Sequence, residues 1–272
     1  MALLLVACEP AVRTSAFVEP ATSRPYAVHT REGHDFRRPS PVLFVLHPYA
    51  TAPGVLVDKY GLDRRAAARR DFIVVVPQGT RDADGHLSWN ASAACCGAGP
   101  SRPDDLGYLR GVLEDLRRHA AIDRGRIYAF GESNGGFLAQ RWACAGDLRA
   151  IVSIAGAAPG PDDPPCAPGR PVSVLEVHGD RDEMVRYEGG RTGRGRYPSA
   201  AGTIALWRRL DACDPAPRES RRSRLLFFAP LRVEAFTCPQ ARVVLWTREG
   251  GGHQTRMLRL WSGELVDFLD GG

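Results

Sequence analysis

Gly131-Glu132-Ser133-Asn134-Gly135-Gly136 is the stretch on which the reading of this chain turns, because of what flanks it. Arg126-Ile127-Tyr128-Ala129-Phe130 before it reads as a buried strand, and Phe137-Leu138-Ala139-Gln140-Arg141-Trp142 after it as a helix. G-x-S-x-G between a strand and a helix is the nucleophile-elbow pattern in its required context. A serine hydroxyl is a poor nucleophile at neutral pH. It needs a sharp turn where a histidine can reach its proton and a helix N-terminus favours developing negative charge. Small residues at 131 and 135 make such a turn sterically possible. The pattern alone also fits tight strand–helix packing or a phosphate loop, so it gains weight only from partners elsewhere in the chain.

With 272 residues, 44% of them hydrophobic, the chain can form one domain that buries roughly three quarters of its unfolded surface. Basic residues exceed acidic ones by five, yet Lys59 is the only lysine and the arginines are scattered. No basic stripe is interleaved with aromatics, which argues against a nucleic-acid partner. The Arg218 to Arg224 cluster reads as a solvated loop.

Met1-Ala2-Leu3-Leu4-Leu5-Val6-Ala7-Cys8 has the character of a bacterial lipobox, with Cys8 as the lipidation site, although the apolar stretch is short and lacks a basic flank. The expectation is an exported, extracellular or cell-surface protein, touching a membrane only through a lipid at Cys8. No later segment offers about 20 continuous apolar residues to span a bilayer. Setting Cys8 aside leaves Cys95, Cys96, Cys144, Cys166, Cys213 and Cys238. An even set in an exported chain points to three disulfides, and six cysteines permit about 15 connectivities. Adjacent cysteines such as Cys95 and Cys96 rarely pair with each other, and no C-x-x-C spacing supports zinc.

After a polar, proline-punctuated lead-in through residue 40, Val42-Leu43-Phe44-Val45-Leu46 and Phe72-Ile73-Val74-Val75-Val76 are apolar runs of strand length. Further strands are expected at residues 126–130, 150–154, 172–177 and 242–247, and helices at about 58–70, 103–121, 200–211 and 256–269. Strands this apolar, alternating with helices, predict an α/β fold: a mainly parallel sheet with helices on both faces. The division expected is residues 1–40 as an export-type N-terminus and lead-in, and 41–272 as one catalytic domain. Residues 159–171 and 189–196 read as surface loops.

On such a fold the serine should be followed by an acid after a late strand and a histidine near the end. His178-Gly179-Asp180-Arg181-Asp182 leaves the strand at 172–177, which nominates Asp182, with Asp180 as the alternative. The acid would hold the imidazole in one tautomer and stabilise the imidazolium; a turn cap or a surface ion pair would explain either aspartate equally simply. Gly250-Gly251-Gly252-His253 nominates His253 as base, its glycines freeing the backbone to place the ring at the sheet edge. The oxyanion hole needs the N–H of the residue after the serine, Asn134, and one from the loop after the first apolar strand, where Tyr49 is the candidate. His47 and His178, at strand ends, read as structural.

Taken together, Leu46-His47-Pro48-Tyr49, Pro77-Gln78-Gly79-Thr80, Ser88-Trp89-Asn90-Ala91, Cys95-Cys96-Gly97, Asp104-Asp105-Leu106-Gly107-Tyr108-Leu109, the elbow, His178-Gly179 and Gly251-Gly252-His253 occur in an order that resembles one family. It is that of secreted polyhydroxybutyrate depolymerase-like proteins and feruloyl esterases of the LpqC type, and the resemblance runs from about residue 42 to the end. It implies an α/β-hydrolase with Ser133, Asp182 and His253 as triad and no metal or organic cofactor. It also implies that Cys95 and Cys96 pair with Cys144 and Cys166, and Cys213 with Cys238, and it places Trp89 at a substrate cleft, where a core tryptophan is the competing reading.

Two departures bear on substrate. The family usually has His-Gly where this chain has His47-Pro48, and Pro48 restrains His47 while leaving the Tyr49 N–H available. After the late histidine the family commonly continues Thr-Trp-Pro-Gly, whereas here Gln254-Thr255-Arg256-Met257 follows, without the aromatic wall. The implied activity is a serine carboxylic ester hydrolase working through an acyl-enzyme on feruloyl-type esters of plant polysaccharide. The alternatives are a polyester or short-chain acyl esterase, and a non-catalytic binding protein that keeps the fold.

Overall fold

The computed structural model describes residues 11–63, 71–96, 102–192, 195–223, 230–253 and 261–271. Its central strands are β1 (Val12–Val18), β2 (Pro25–Arg31), β3 (Ser40–Leu46), β4 (Ile73–Pro77), β7 (Ile122–Glu132), β8 (Ala150–Ile154), β9 (Ser173–Gly179), β12 (Glu219–Ser223), β13 (Leu231–Thr237) and β14 (Arg242–Arg248). They form one sheet in the order β1-β2-β4-β3-β7-β8-β9-β14-β13-β12. Two small hairpins stand apart, one made of Thr80–Arg81 (β5) and Leu87–Ser88 (β6), the other of Gly190–Thr192 (β10) and Gly195–Tyr197 (β11).

From β4 through β14 neighbouring strands run parallel, and the flanks on both sides are antiparallel. The parallel strands are buried on both faces, which is why they read as unbroken apolar runs rather than alternating ones. Successive residues point to opposite layers. Val42, Phe44 and Leu46 join Leu109, Val112, Phe137, Trp142 and Trp207 on one face, while Leu43 and Val45 meet Leu56, Tyr60, Leu265 and Val266 on the other. The helices Asp105–Arg117, Asn134–Cys144 and Ala200–Leu210 thus cover the first face, and Val55–Tyr60 and Trp261–Leu269 the second. This is the α/β-hydrolase architecture expected. Parts of the helices anticipated at 58–70 and 256–269 lie outside the described residues.

Four expectations are corrected. The boundary at residue 40 falls inside the sheet: β1 and β2 come from the stretch read as lead-in, and β2 pairs directly with β4. Their half-exposed positions lack the continuous apolar signal of the central strands. The arginine cluster beginning at Arg218 supplies β12, a charge-rich edge strand rather than a loop, with Arg224 outside the described residues. Residues 189–196 supply most of the β10–β11 hairpin. The disulfide connectivity differs in part: Cys213 is bonded to Cys238 as expected, but Cys95 is bonded to Cys96 and Cys144 to Cys166, rather than Cys95 and Cys96 pairing with Cys144 and Cys166. Cys144 ends the helix after the elbow, and its carbonyl accepts the Ala167 N–H, which brings Cys166 beside it. Cys8 lies outside the described residues.

Cys213–Cys238 joins the end of the Ala200–Leu210 helix to β13 across a sequence separation of 25. Replacing both cysteines by serine is expected to lower unfolding free energy by about 3 kcal/mol in the chain-entropy picture, measured by denaturant titration under oxidising conditions. Asp211, nearby, uses one oxygen to accept the Val172 N–H, and its other oxygen finds no partner among the described residues. Burial pushes this carboxyl up from 3.8 to about 6. Between those values the folded chain holds a proton that the unfolded chain releases, so this group's contribution to stability falls as pH rises through that interval. Asp211→Asn is therefore expected to gain in melting temperature relative to wild type at pH 8 compared with pH 4; an equal difference at both would contradict the assignment.

Candidate active site

The carboxyl ends of β3, β7, β9 and β14 converge on one edge of the sheet. At the end of β7 the backbone folds back on itself at Ser133, which has φ 55 and ψ −119 and passes directly into the Asn134–Cys144 helix. Only close contacts that exclude side chains allow this turn. A Cβ on Gly131 would sit 2.1 Å from the Gly135 carbonyl oxygen, and one on Gly135 would sit 2.0 Å from that of Leu46. The Ser133 N–H donates to the Ile154 carbonyl at 2.7 Å, fixing the turn against β8. A positive φ at a non-glycine residue costs energy, and here the surrounding contacts hold it.

His253 Nε2 lies 3.0 Å from Ser133 Oγ, and His253 Nδ1 lies 2.8 Å from Asp182 Oδ2. The other Asp182 oxygen accepts the N–H groups of Met184 and Val185, both at 2.9 Å. The Asp182 side chain is fully buried, and burial alone would raise its carboxyl. Hydrogen bonds from His178, His253 and the Val185 N–H outweigh that and hold it well below the usual carboxylate range. Asp180, the alternative acid, does something different: its carboxylate accepts the Gly250 N–H at 2.6 Å. Together with the Arg181 N–H on the Gly251 carbonyl, it ties the loop bearing Asp182 to the loop bearing His253. Arg248 adds a bond to the Gly252 carbonyl at 3.2 Å.

Two backbone N–H groups are expected to form the oxyanion hole. The backbone N–H groups of Tyr49 and Asn134 meet no acceptor among the described residues. The side chains of both residues are anchored elsewhere. The Tyr49 hydroxyl donates to Asp82 at 2.7 Å, and the Asn134 amide exchanges two hydrogen bonds with the Trp89 backbone at 2.7 and 3.0 Å. Trp89 itself is 0% exposed and its indole N–H donates to the His47 carbonyl. The expectation that Trp89 lines a substrate cleft is corrected: the ring is core, and it joins the Tyr49 loop to the Asn134 side. His47 is structural. Burial pulls its ring down to about 4, and its Nε2 accepts the Gly79 N–H while Nδ1–H donates to the Pro48 carbonyl. Asp82, Asp84 and His86 place ligand atoms within 4.8 Å of one another on the exposed β5–β6 turn, but Asp82 already serves Tyr49 and two backbone amides.

Two groups escape the sequence reading. Glu132, inside the elbow, binds the Lys59 ammonium through both oxygens at 2.8 Å and accepts the Tyr60 hydroxyl at 2.9 Å. Behind Asp182, His178 and Glu176 form a buried polar pair, Glu176 being 0% exposed in an otherwise apolar strand. That lone acid in Ser173-Val174-Leu175-Glu176-Val177 is the visible signal.

No family model matches the chain. Over 184 residues it is 29% identical to NocK of Nocardia uniformis subsp. tsuyamanensis, named as an esterase, covering 61% of this chain and 52% of that one. It is 27% identical to feruloyl esterase B of Piromyces equi, covering 57% of this chain and 30% of that one. With feruloyl esterase D of Neurospora crassa it shares 25% identity over 85% of this chain and 74% of that one. The chain thus spans about half the length or less of the first two. An acetyl xylan esterase from Aspergillus awamori superposes with a TM-score of 0.64 at 11% identity, over 95% of this chain and 99% of that one, a likeness of fold. These relatives fit a feruloyl-esterase-like group of α/β-hydrolases.

Gly135→Ala is expected to cost stability at or above the upper end of the roughly 1–3 kcal/mol typical of overpacking, because the atom it meets is backbone that cannot rotate away. A melting temperature within experimental error of wild type would show that the Leu46 contact does not constrain the elbow.

Proposed function

We propose that the protein is a serine carboxylic ester hydrolase working through an acyl-enzyme, with feruloyl-type esters of plant polysaccharide as its substrate class. The observation that carries this reading is the unbroken hydrogen-bonded row from Ser133 Oγ through His253 to Asp182, at 3.0 and 2.8 Å. Nothing in the packing of a binding protein requires a strained serine to face an imidazole backed by a buried carboxylate. The relatives named feruloyl esterase bring the substrate class into the proposal.

In this reading Ser133 Oγ attacks the ester carbonyl carbon while His253 Nε2 takes its proton. Asp182 keeps Nδ1 protonated and stabilises the imidazolium. The oxygen of the tetrahedral intermediate is held by the Tyr49 and Asn134 N–H groups, each such donor being worth about 2.7–4 kcal/mol in the transition state. His253 returns the proton to the departing alcohol, leaving the acyl group on Ser133. Water, deprotonated by the same ring, then attacks the acyl carbon and releases the acid. An extracellular or cell-surface location belongs to the same proposal and is supported by the three disulfides.

Purified protein is expected to release ferulic acid from methyl ferulate, and Ser133→Ala to lower kcat by at least about 10³-fold, with KM little changed. Release by both forms equally would remove Ser133 from the mechanism. Release by neither, with short acyl esters hydrolysed instead, would move the substrate class. A fluorophosphonate that fails to label Ser133 would overturn the hydrolase reading itself.

A further inference from the structure

The proposed triad uses one face of Asp182, and the acid has a second imidazole partner that the mechanism leaves idle. His178 Nε2 lies 3.4 Å from Asp182 Oδ2, the same oxygen that meets His253, and 2.8 Å from the Val185 carbonyl. On the other side of the ring, His178 Nδ1 lies 3.2 Å from Glu176 Oε1. Both ring nitrogens therefore face oxygens; burial pushes the Glu176 carboxyl up while the His178 ring pulls it back down, and an ionised Glu176 leaves the ring acceptors alone on both sides. A neutral imidazole has one donor and one acceptor nitrogen, so this setting matches a ring carrying both protons.

Glu176 is in turn fixed from behind. Its second oxygen accepts from Gln140 Nε2 at 3.1 Å, and Gln140 Oε1 accepts the Trp207 indole N–H at 2.7 Å. Glu176, His178 and Gln140 are all within 2% of full burial, and an isolated charge there would be strongly disfavoured. A carboxylate and an imidazolium together are neutral as a pair, which is the arrangement a dry site tolerates. Burial works against the His178 cation, yet Asp182, Glu176 and the Val185 carbonyl bring the ring up to about 9.

We propose that His178, braced by Glu176, is a positioning residue for the ester-hydrolase reaction. Its Nε2–H is held by the Val185 carbonyl at 2.8 Å and lies 3.4 Å from Asp182 Oδ2, and by placing its charge beside the oxygen that meets His253 it sets the pH range over which His253 can act as base. This rests on the hydrolase reading above. A cation 3.4 Å from a carboxylate oxygen offsets part of the negative field that the carboxylate exerts at His253. The His178 ring thus moderates the acid. The groups facing this pair are few and identifiable. Tyr187 meets the His178 ring edge-on and shares a hydrogen bond with the Thr247 hydroxyl on β14, with Arg232 of β13 3.4 Å from the tyrosine oxygen. Ser153 of β8 is level with Glu176, and Arg248 of β14 interacts electrostatically with Asp182.

The test has an activity arm and a spectroscopic arm. With methyl ferulate as substrate, His178→Gln is expected to move the acid limb of kcat/KM upward by about one pH unit, since the cation is gone and Asp182 acts fully on His253. Glu176→Gln keeps the shape, leaves His178 to lose its extra proton in a buried site, and is expected to shift the limb in the same direction by less. Acid limbs that coincide with wild type, whatever the loss in kcat, would assign the pair a merely structural role and overturn the proposal. In the wild-type protein, long-range 1H–15N spectra are expected to show both His178 ring nitrogens protonated at pH 7, and one of them unprotonated in Glu176→Gln. A singly protonated His178 in wild type would overturn it as well. This second arm needs no turnover, so a protein inert toward every ester would sink the hydrolase reading while the spectra still judged His178.

Discussion

The close approach of Gly135 to the Leu46 carbonyl is a tight constraint at this end of the sheet, and most of the site's geometry follows from it. It brings the start of the Asn134–Cys144 helix against the end of β3. The serine at the turn then has nowhere to go but a backbone conformation with positive φ, and the Ile154 carbonyl holds it there through its own N–H. The same approach sets the start of the Asn134 helix against the chain at Leu46 and His47, from which the loop carrying Tyr49 leaves. Trp89 and His47 stiffen that arrangement from inside, one through a bond to a backbone carbonyl and the other through a buried neutral ring.

On the far side of the serine the organisation is electrostatic. Asp182 is buried, and what keeps it ionised is a set of donors: two backbone amides on one oxygen and two imidazoles about the other. The loops bearing Asp182 and His253 do not rely on the Asp182–His253 bond for their relative position. Asp180 and Arg181 join them through backbone groups at Gly250 and Gly251, while Arg248 braces the His253 loop from within through the Gly252 carbonyl. Gly179 has no room for a Cβ, since the Gly251 carbonyl lies 2.2 Å from where it would be.

How much of this is legible in the sequence depends on burial. Val42 to Leu46 and Ile73 to Val76 stand out because a parallel strand covered on both faces has no reason to alternate. β1, with Arg13, Thr14, Ala16 and Val18 exposed, carries no such pattern and reads as lead-in. Ser133, Asp182 and His253 are legible because each sits just past the end of a strand, with glycines two residues to either side of Ser133 and one directly before His253. The role of Trp89 is not, since a tryptophan in the sequence says nothing about whether its ring faces a cleft or the core. Nor is the Cys95–Cys96 bond, which runs against the usual avoidance between neighbours. His178 reads as structural because Asp182, four residues on, becomes its neighbour only once the chain has turned at the end of the strand.

Lys59 gives the molecule a property of a different kind. It is the only lysine in the sequence, and its ammonium is bound to Glu132, the residue directly before Ser133. Its side chain is 28% exposed, so reagents can reach it. Coupling chemistry directed at lysine amines, of the sort used to fix enzymes on supports or attach dyes, has one side-chain target here. That target is the cation neutralising the carboxylate in the elbow, whereas attachment through arginine or an introduced thiol would leave the ion pair intact.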